Sequence, residues 1–186
     1  MPFKTVEYRS SLGPILAWLV PGSDSTWAIF VHGRAASRAE MLRMLPAYRA
    51  LGLPCLVICY RNDRCGPRAL GGRYQMGFTE WRDLEDAVRF ALEHGARRVV
   101  PVGCSMGGSI VAEFLRHSAL ASAAPVAVLD APALDLERHA RRRGQEPTRA
   151  AMAHRGRQVD RHGAHRHPVG RAGAGEARGG VQARPS

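Results

Sequence analysis

Short apolar runs alternate with longer amphipathic stretches along most of this chain. "KTVEYRS" and "PILAWLV" read as two strands joined at Gly13-Pro14, so they predict an opening hairpin. "TWAIFVH", "PCLVICY", "RRVVPV" and "PVAVLD" are continuous apolar runs, the pattern of strands buried on both faces. Between them lie segments with helical spacing. In "RAEMLRMLPAYRALG", Leu42, Leu45 and Tyr48 or Arg49 share a face, with Ser37 as cap, Pro46 as a kink and Gly52 as the end. In "EWRDLEDAVRFALEHG", Trp81, Leu84, Val88 and Ala91 share a face, Thr79 is the expected cap and Gly95 the end. "GSIVAEFLRHS" predicts a third helix. Strands alternating with helices require crossover connections, which give an α/β fold with a mostly parallel sheet and helices on both faces. The regular pattern stops near Leu136.

Charge divides the chain at about the same place. Residues 1–140 hold 16 basic and 13 acidic side chains, a net +3, whereas 141–186 hold 11 and 3, a net +8. The second segment has no Leu, Ile, Phe, Trp, Tyr or Cys, so it lacks the apolar surface that would offset its ordering entropy. We therefore expect a partial α/β domain over 1–137 and a disordered Arg-, Ala-, Gly- and His-rich tail over 138–186. The chain has one lysine, Lys4, against 26 arginines. That bias points to GC-rich coding DNA, and out-of-frame reading of such DNA yields a composition like the tail's.

"ILAWLV" lies between Pro14 and Pro21 and is too short for a signal or a span, so no membrane association is expected. Cys55 and Cys59 fall in one predicted strand, ~13 Å apart and beyond the ~7 Å bridging limit. With no disulfide framework expected, a reducing, cytoplasmic setting follows.

The stretch Gly103-Cys104-Ser105-Met106-Gly107-Gly108 joins a predicted strand to a predicted helix. A serine there sits in a sharp turn that only small neighbours two residues away permit, and the helix N-terminus favours a developing oxyanion. The plainer alternative is a glycine-rich turn that binds phosphate or nothing. Together with "FVHGRAAS", "YRND" and "EWRDLEDAV", the segment "GCSMGG" resembles the α/β-hydrolase superfamily, in particular bacterial serine hydrolases of the serine-aminopeptidase-like and lysophospholipase-like group. The resemblance covers roughly residues 5–137. It implies Ser105 as nucleophile and the backbone N–H groups of Arg34 and Met106 as the oxyanion hole. It does not fix the substrate, because esterases, lipases, thioesterases and peptidases share these motifs.

That superfamily orders its triad Ser, then Asp or Glu, then His, on loops after later strands. Only "PVAVLD" follows Ser105 as a convincing strand, so the family's last strands are expected to be missing. Asp130 and Asp135 are candidate acids, against the plainer roles of loop residue or helix cap. His32 precedes the oxyanion loop, and His94, His117 and His139 fall at or near predicted helix ends. His162, His165 and His167 cluster in the tail, where a disordered segment cannot hold a ring on a serine. They lack the Cys, Asp or Glu partners of a metal site, so neither metal nor cofactor is expected.

The expected function is hydrolysis of an ester or related acyl bond of a small-molecule substrate through Ser105, with activity reduced or lost for want of a base. The alternatives are a catalytically inactive binding module and weak, nonspecific nucleic-acid association by the basic tail. An uncovered sheet edge at "PVAVL" would favour self-association.

Overall fold

The computed structural model describes residues 2–134. Its six strands are β1 (Lys4–Ser10), β2 (Gly13–Val20), β3 (Thr26–Val31), β4 (Cys55–Ile58), β5 (Arg98–Cys104) and β6 (Val128–Asp130). They form one sheet in the order β1-β2-β4-β3-β5-β6. β2 pairs antiparallel with β1 and with β4, and the remaining pairs are parallel. The mostly parallel α/β architecture read from the sequence is the observed one.

Side chains alternate across the sheet as strand geometry demands. Trp27, Ile29 and Val31 of β3 pack with Leu84, Val88, Ile110 and Phe114 of helices α2 (Trp81–Glu93) and α3 (Met106–His117). Ala28 and Phe30 face the other way, onto Met41 and Leu45 of a 3-10 turn (Arg38–Arg43) and helix α1 (Leu45–Ala50). The continuous apolar runs are thus explained by cover on both faces.

Four sequence expectations need correction. The first expected helix is two pieces, because Pro46 lies at the start of α1 and the chain breaks at Met44. Proline has no N–H to donate to the preceding turn but fits the first turn of a new helix. Glu80 and not Thr79 occupies the cap position of α2, and its side chain leaves the helix uncapped: the carboxylate instead accepts the N–H groups of Gln75, Gly77 and Thr79 in the preceding loop. β6 is half-exposed along its length, with Leu129 40% accessible, because among the described residues it has a strand neighbour on one side only.

The cysteine reading is the fourth. Cys59 lies just past the end of β4 and is disulfide-bonded to Cys65, with Cα atoms 6.0 Å apart. The chain reverses at Asn62 (φ 70°) and brings Cys65 back beside Cys59, a fold-back that the strand-spacing argument did not test. Cys55 and Cys104 are free. The inference of a reducing compartment loses its premise. Among the described residues no helix is long and apolar enough to cross a membrane.

A buried ion pair ties the loop after β4 to α2. Arg61 donates from Nε to Asp83 Oδ2 and from Nη2 to Oδ1, each at 2.8 Å, and its backbone N–H adds a third bond to Oδ2 at 2.8 Å. Asp83 is fully buried. Removing one partner of such a pair strands the other's charge away from water, which costs about 3–5 kcal/mol. Asp83→Ala is therefore expected to lower the urea-unfolding free energy by that amount. A loss under about 1 kcal/mol would show that water reaches Arg61 freely.

Candidate active site

β5 ends at Cys104 and α3 begins at Met106, so Ser105 is the whole of the turn between them. Its backbone adopts φ 50° and ψ −115°, a conformation L-residues rarely hold. Both of its peptide groups are pinned. Its N–H donates to Asp130 O at 3.0 Å, and its carbonyl accepts N–H groups of Ala133 at 2.9 Å and Gly108 at 3.0 Å. The glycines are required by contact. A Cβ on Gly103 would lie 2.4 Å from Gly107 O, one on Gly107 would lie 2.0 Å from Val31 O, and one on Gly108 would meet Pro132 Cβ at 2.6 Å.

β3 delivers the facing loop. The Cβ position of Gly33 lies 3.2 Å from Ser105 Cβ, so this glycine lets the loop lie directly against the serine. Gly33 is held at both ends. Its N–H donates to Glu40 Oε2 at 2.7 Å, and its carbonyl accepts from Tyr60 Oη at 3.1 Å and faces His32 Nδ1 at 2.9 Å. Because the peptide is planar and trans, fixing the Gly33 carbonyl also fixes the Arg34 N–H on the opposite edge. Arg34 and Met106, the expected oxyanion donors, thus follow the two residues that make this contact, Gly33 and Ser105.

His32 is buried behind that loop. Its Nε2 lies 2.9 Å from Asp63 Oδ2, and its ring stacks on Tyr60 with centroids 4.6 Å apart. Asp63 also accepts the Tyr60 N–H at 3.0 Å and the Tyr74 hydroxyl at 2.9 Å. Burial, followed by Asp63, pushes the Tyr60 phenol far above its ordinary pKa, so it stays a neutral donor. His32 therefore supports the loop and is engaged away from Ser105.

The other candidates are also committed elsewhere. Asp130 turns its carboxylate to Arg43, whose Nη2 also donates to Cys104 Sγ at 3.4 Å; the hydrogen bond from Arg43 holds the Asp130 carboxyl below the usual carboxylate range. His94 ends α2 with Nδ1 2.8 Å from Phe90 O, and His117 ends α3 with Nε2 3.0 Å from Glu113 Oε2. Asp135, His139, His162, His165 and His167 lie outside the described residues. Sequence reasoning missed Glu40 as the clasp of the loop. The signal was the Ser37-x-x-Glu40 spacing, which ordinarily turns the acid back onto its own helix start. Here the acid reaches past the cap to Gly33.

Comparison with known proteins gives the same picture. The model of the alpha/beta hydrolase family matches residues 28–184. No curated protein matches the chain. Among solved structures, the esterase Pf2001 of Pyrococcus furiosus is 22% identical over 70% of this chain and 51% of its own, with a TM-score of 0.57. An epoxide hydrolase from an endophytic Streptomyces is 22% identical over 68% and 36%, TM-score 0.56. XC6422 from Xanthomonas campestris, described as a member of a/b serine hydrolase without lid, is 18% identical over 71% and 63%, TM-score 0.58. This chain thus spans about half the length of the first of them.

Proposed function

Because the chain belongs to the alpha/beta hydrolase family, we propose that it is a serine hydrolase in which Ser105 attacks the carbonyl carbon of an ester or related acyl bond. The observation that carries this reading is the strained φ 50°, ψ −115° backbone of Ser105 at the strand-to-helix turn. Strain of this kind costs about 1–3 kcal/mol and persists where the surroundings enforce it, as three backbone hydrogen bonds do here. With an epoxide hydrolase among the neighbours, the fold alone does not choose the reaction. A serine hydroxyl at the turn suits acyl transfer, and the esterase and serine hydrolase neighbours support it.

In the proposed chemistry the Ser105 Oγ–C bond forms as the carbonyl becomes a tetrahedral oxyanion, to which the N–H groups of Met106 and Arg34 donate. The proton passes to a base and then to the leaving group; water repeats the sequence to free the acid. The three histidines of the described region are engaged elsewhere, so the base is sought at His139, His154, His162, His165 or His167.

A fluorophosphonate probe with peptide mapping tests the proposal. The expected result is an adduct at Ser105 in the folded chain that is absent in Ser105→Ala and in urea. Even without a base, an oxyanion hole and binding sustain ~10³–10⁴-fold acceleration over water, so p-nitrophenyl ester hydrolysis should exceed the urea-unfolded chain by no more than about this order unless a base completes the site. Labelling of Ser105 no faster than in urea would overturn acyl transfer and favour an inactive binding module. Where labelling is prompt, single substitution of these five histidines identifies the base.

A further inference from the structure

A pocket of about 420 Å³ opens between the loop after β3 and the loop after β4, lined by His32, Ser37, Asp63, Arg64, Cys65 and Tyr74 among others. It adjoins the nucleophile through one residue, since Gly33, which packs on Ser105, follows His32. Its charge is one-sided. The one acid in its wall, Asp63, has its carboxylate taken up by Tyr60 N–H, the Tyr74 hydroxyl and His32. The nearby Glu40 is held by the Gly33 N–H, and its charge is felt at Cys104.

One guanidinium lines the pocket, and two more belong to residues that flank its lining stretch Ala35–Ser37; none of the three forms an ion pair among the described residues. Arg64 lines it. Arg34 acts on Tyr74 in its wall: burial first, then Asp63, push that phenol up to about 12, and Arg34 pulls against them. Arg38 lies within Coulomb range of Asp63, and its Nη1 is buried with no hydrogen-bond partner. The Arg38 guanidinium lies 4.3 Å from the centroid of a Trp18 ring, which supports it by cation–π contact. An unsatisfied, partly desolvated guanidinium is a standing donor for carboxylate or phosphate oxygen.

We propose that this pocket binds an anionic oxygen group, a carboxylate or phosphate, carried by the acyl substrate of Ser105. The substrate class is then an acidic ester, its charged end held by Arg64, with Arg34 and Arg38 adding positive potential nearby, while the carbonyl meets the serine. The proposal rests on the reading of Ser105 as nucleophile for its chemistry, but not for its binding.

Binding is tested without turnover. Adipate, its neutral counterpart adipamide, and inorganic phosphate are each titrated into the whole chain, with melting temperature and amide chemical shifts as readouts. Adipate and phosphate are expected to bind and adipamide to bind at least about tenfold more weakly. The preference should be greater at ~0.01 M salt, where the Debye length is ~30 Å, than at ~0.15 M, where it is ~8 Å. Arg64→Gln, an exposed change, should weaken adipate several-fold while leaving urea unfolding unchanged.

Turnover is compared in parallel for the 4-nitrophenyl monoester of adipic acid and for 4-nitrophenyl hexanoate, which have equal chain length. The acidic ester should have about tenfold higher kcat/KM, lost through KM in Arg64→Gln. Equal binding of adipate and adipamide overturns the proposal, as does labelling of Ser105 with no preference for the acidic ester. Adipate binding that depends on Arg64 with no chemistry at Ser105 upholds the anionic pocket and overturns the nucleophile instead.

Discussion

Gly107→Ala is expected to cost at least about 3 kcal/mol, enough to leave much of the chain unfolded or insoluble. Gly107 lies in the first turn of α3, where alanine would ordinarily gain about 1 kcal/mol over glycine. The local preference loses to a tertiary contact. The new Cβ would sit 2.0 Å from Val31 O and 2.8 Å from His32 O, both backbone atoms of the strand that carries the loop facing Ser105. A crowded side chain can change rotamer; a crowded strand must move. Moving β3 breaks its register with β5, in which Val31 pairs with Gly103, the residue that also touches Gly107. Overpacking even of side chains costs about 1–3 kcal/mol, and total stabilities are only about 5–15 kcal/mol. Gly95→Ala is the control. That residue has open space around it and φ 97°, so alanine there meets only the left-handed penalty of about 1–2 kcal/mol. Urea unfolding of both variants decides the matter: equal losses would mean that β3 and α3 do not touch at Gly107.

The same contact explains why the turn was readable in sequence. Small residues two positions either side of a serine, between an apolar run and an amphipathic one, record a backbone crossing that no other residue permits. The sheet was legible for a related reason. Parallel strands covered on both faces need apolar residues at every position, so Trp27 to Val31, Cys55 to Ile58 and Val99 to Cys104 stand out as blocks. α2 was legible from its face of Leu84, Val88 and Ala91. What escaped were contacts without a period. Glu40 on Gly33, Asp63 on His32, Glu80 on three loop amides and Cys59 on Cys65 each join residues whose spacing follows from one loop's path. Propensity also misjudged the break at Met44, because Pro46 serves equally as a kink or as a helix start. The acid and base were not legible at all: their positions are set by loops, and the candidates in the described region are bound to Arg43, Asp63, Phe90 O and Glu113.

Ser105→Gly is expected to stabilise the fold while abolishing the chemistry, and the pairing of the two effects separates a functional strain from an accidental one. Serine at φ 50° and ψ −115° stores about 1–3 kcal/mol that glycine, with no Cβ, does not incur. Against this, glycine adds unfolded-state entropy worth about 0.5–1 kcal/mol. The side chain contributes little on the other side of the balance, since the bonds that pin the turn run through the Ser105 backbone N–H and carbonyl, which glycine retains. The net gain should be about 0.5–2 kcal/mol, read from urea unfolding. Ser105→Ala keeps the Cβ, hence the strain, and should show no such gain. Both variants remove the only atom proposed to attack, so fluorophosphonate labelling should vanish in both, and ester hydrolysis should fall by ~10³-fold or more where a base completes the site. A glycine variant no more stable than the alanine variant would show that the turn is relaxed, and the observation on which the nucleophile reading stands would be gone.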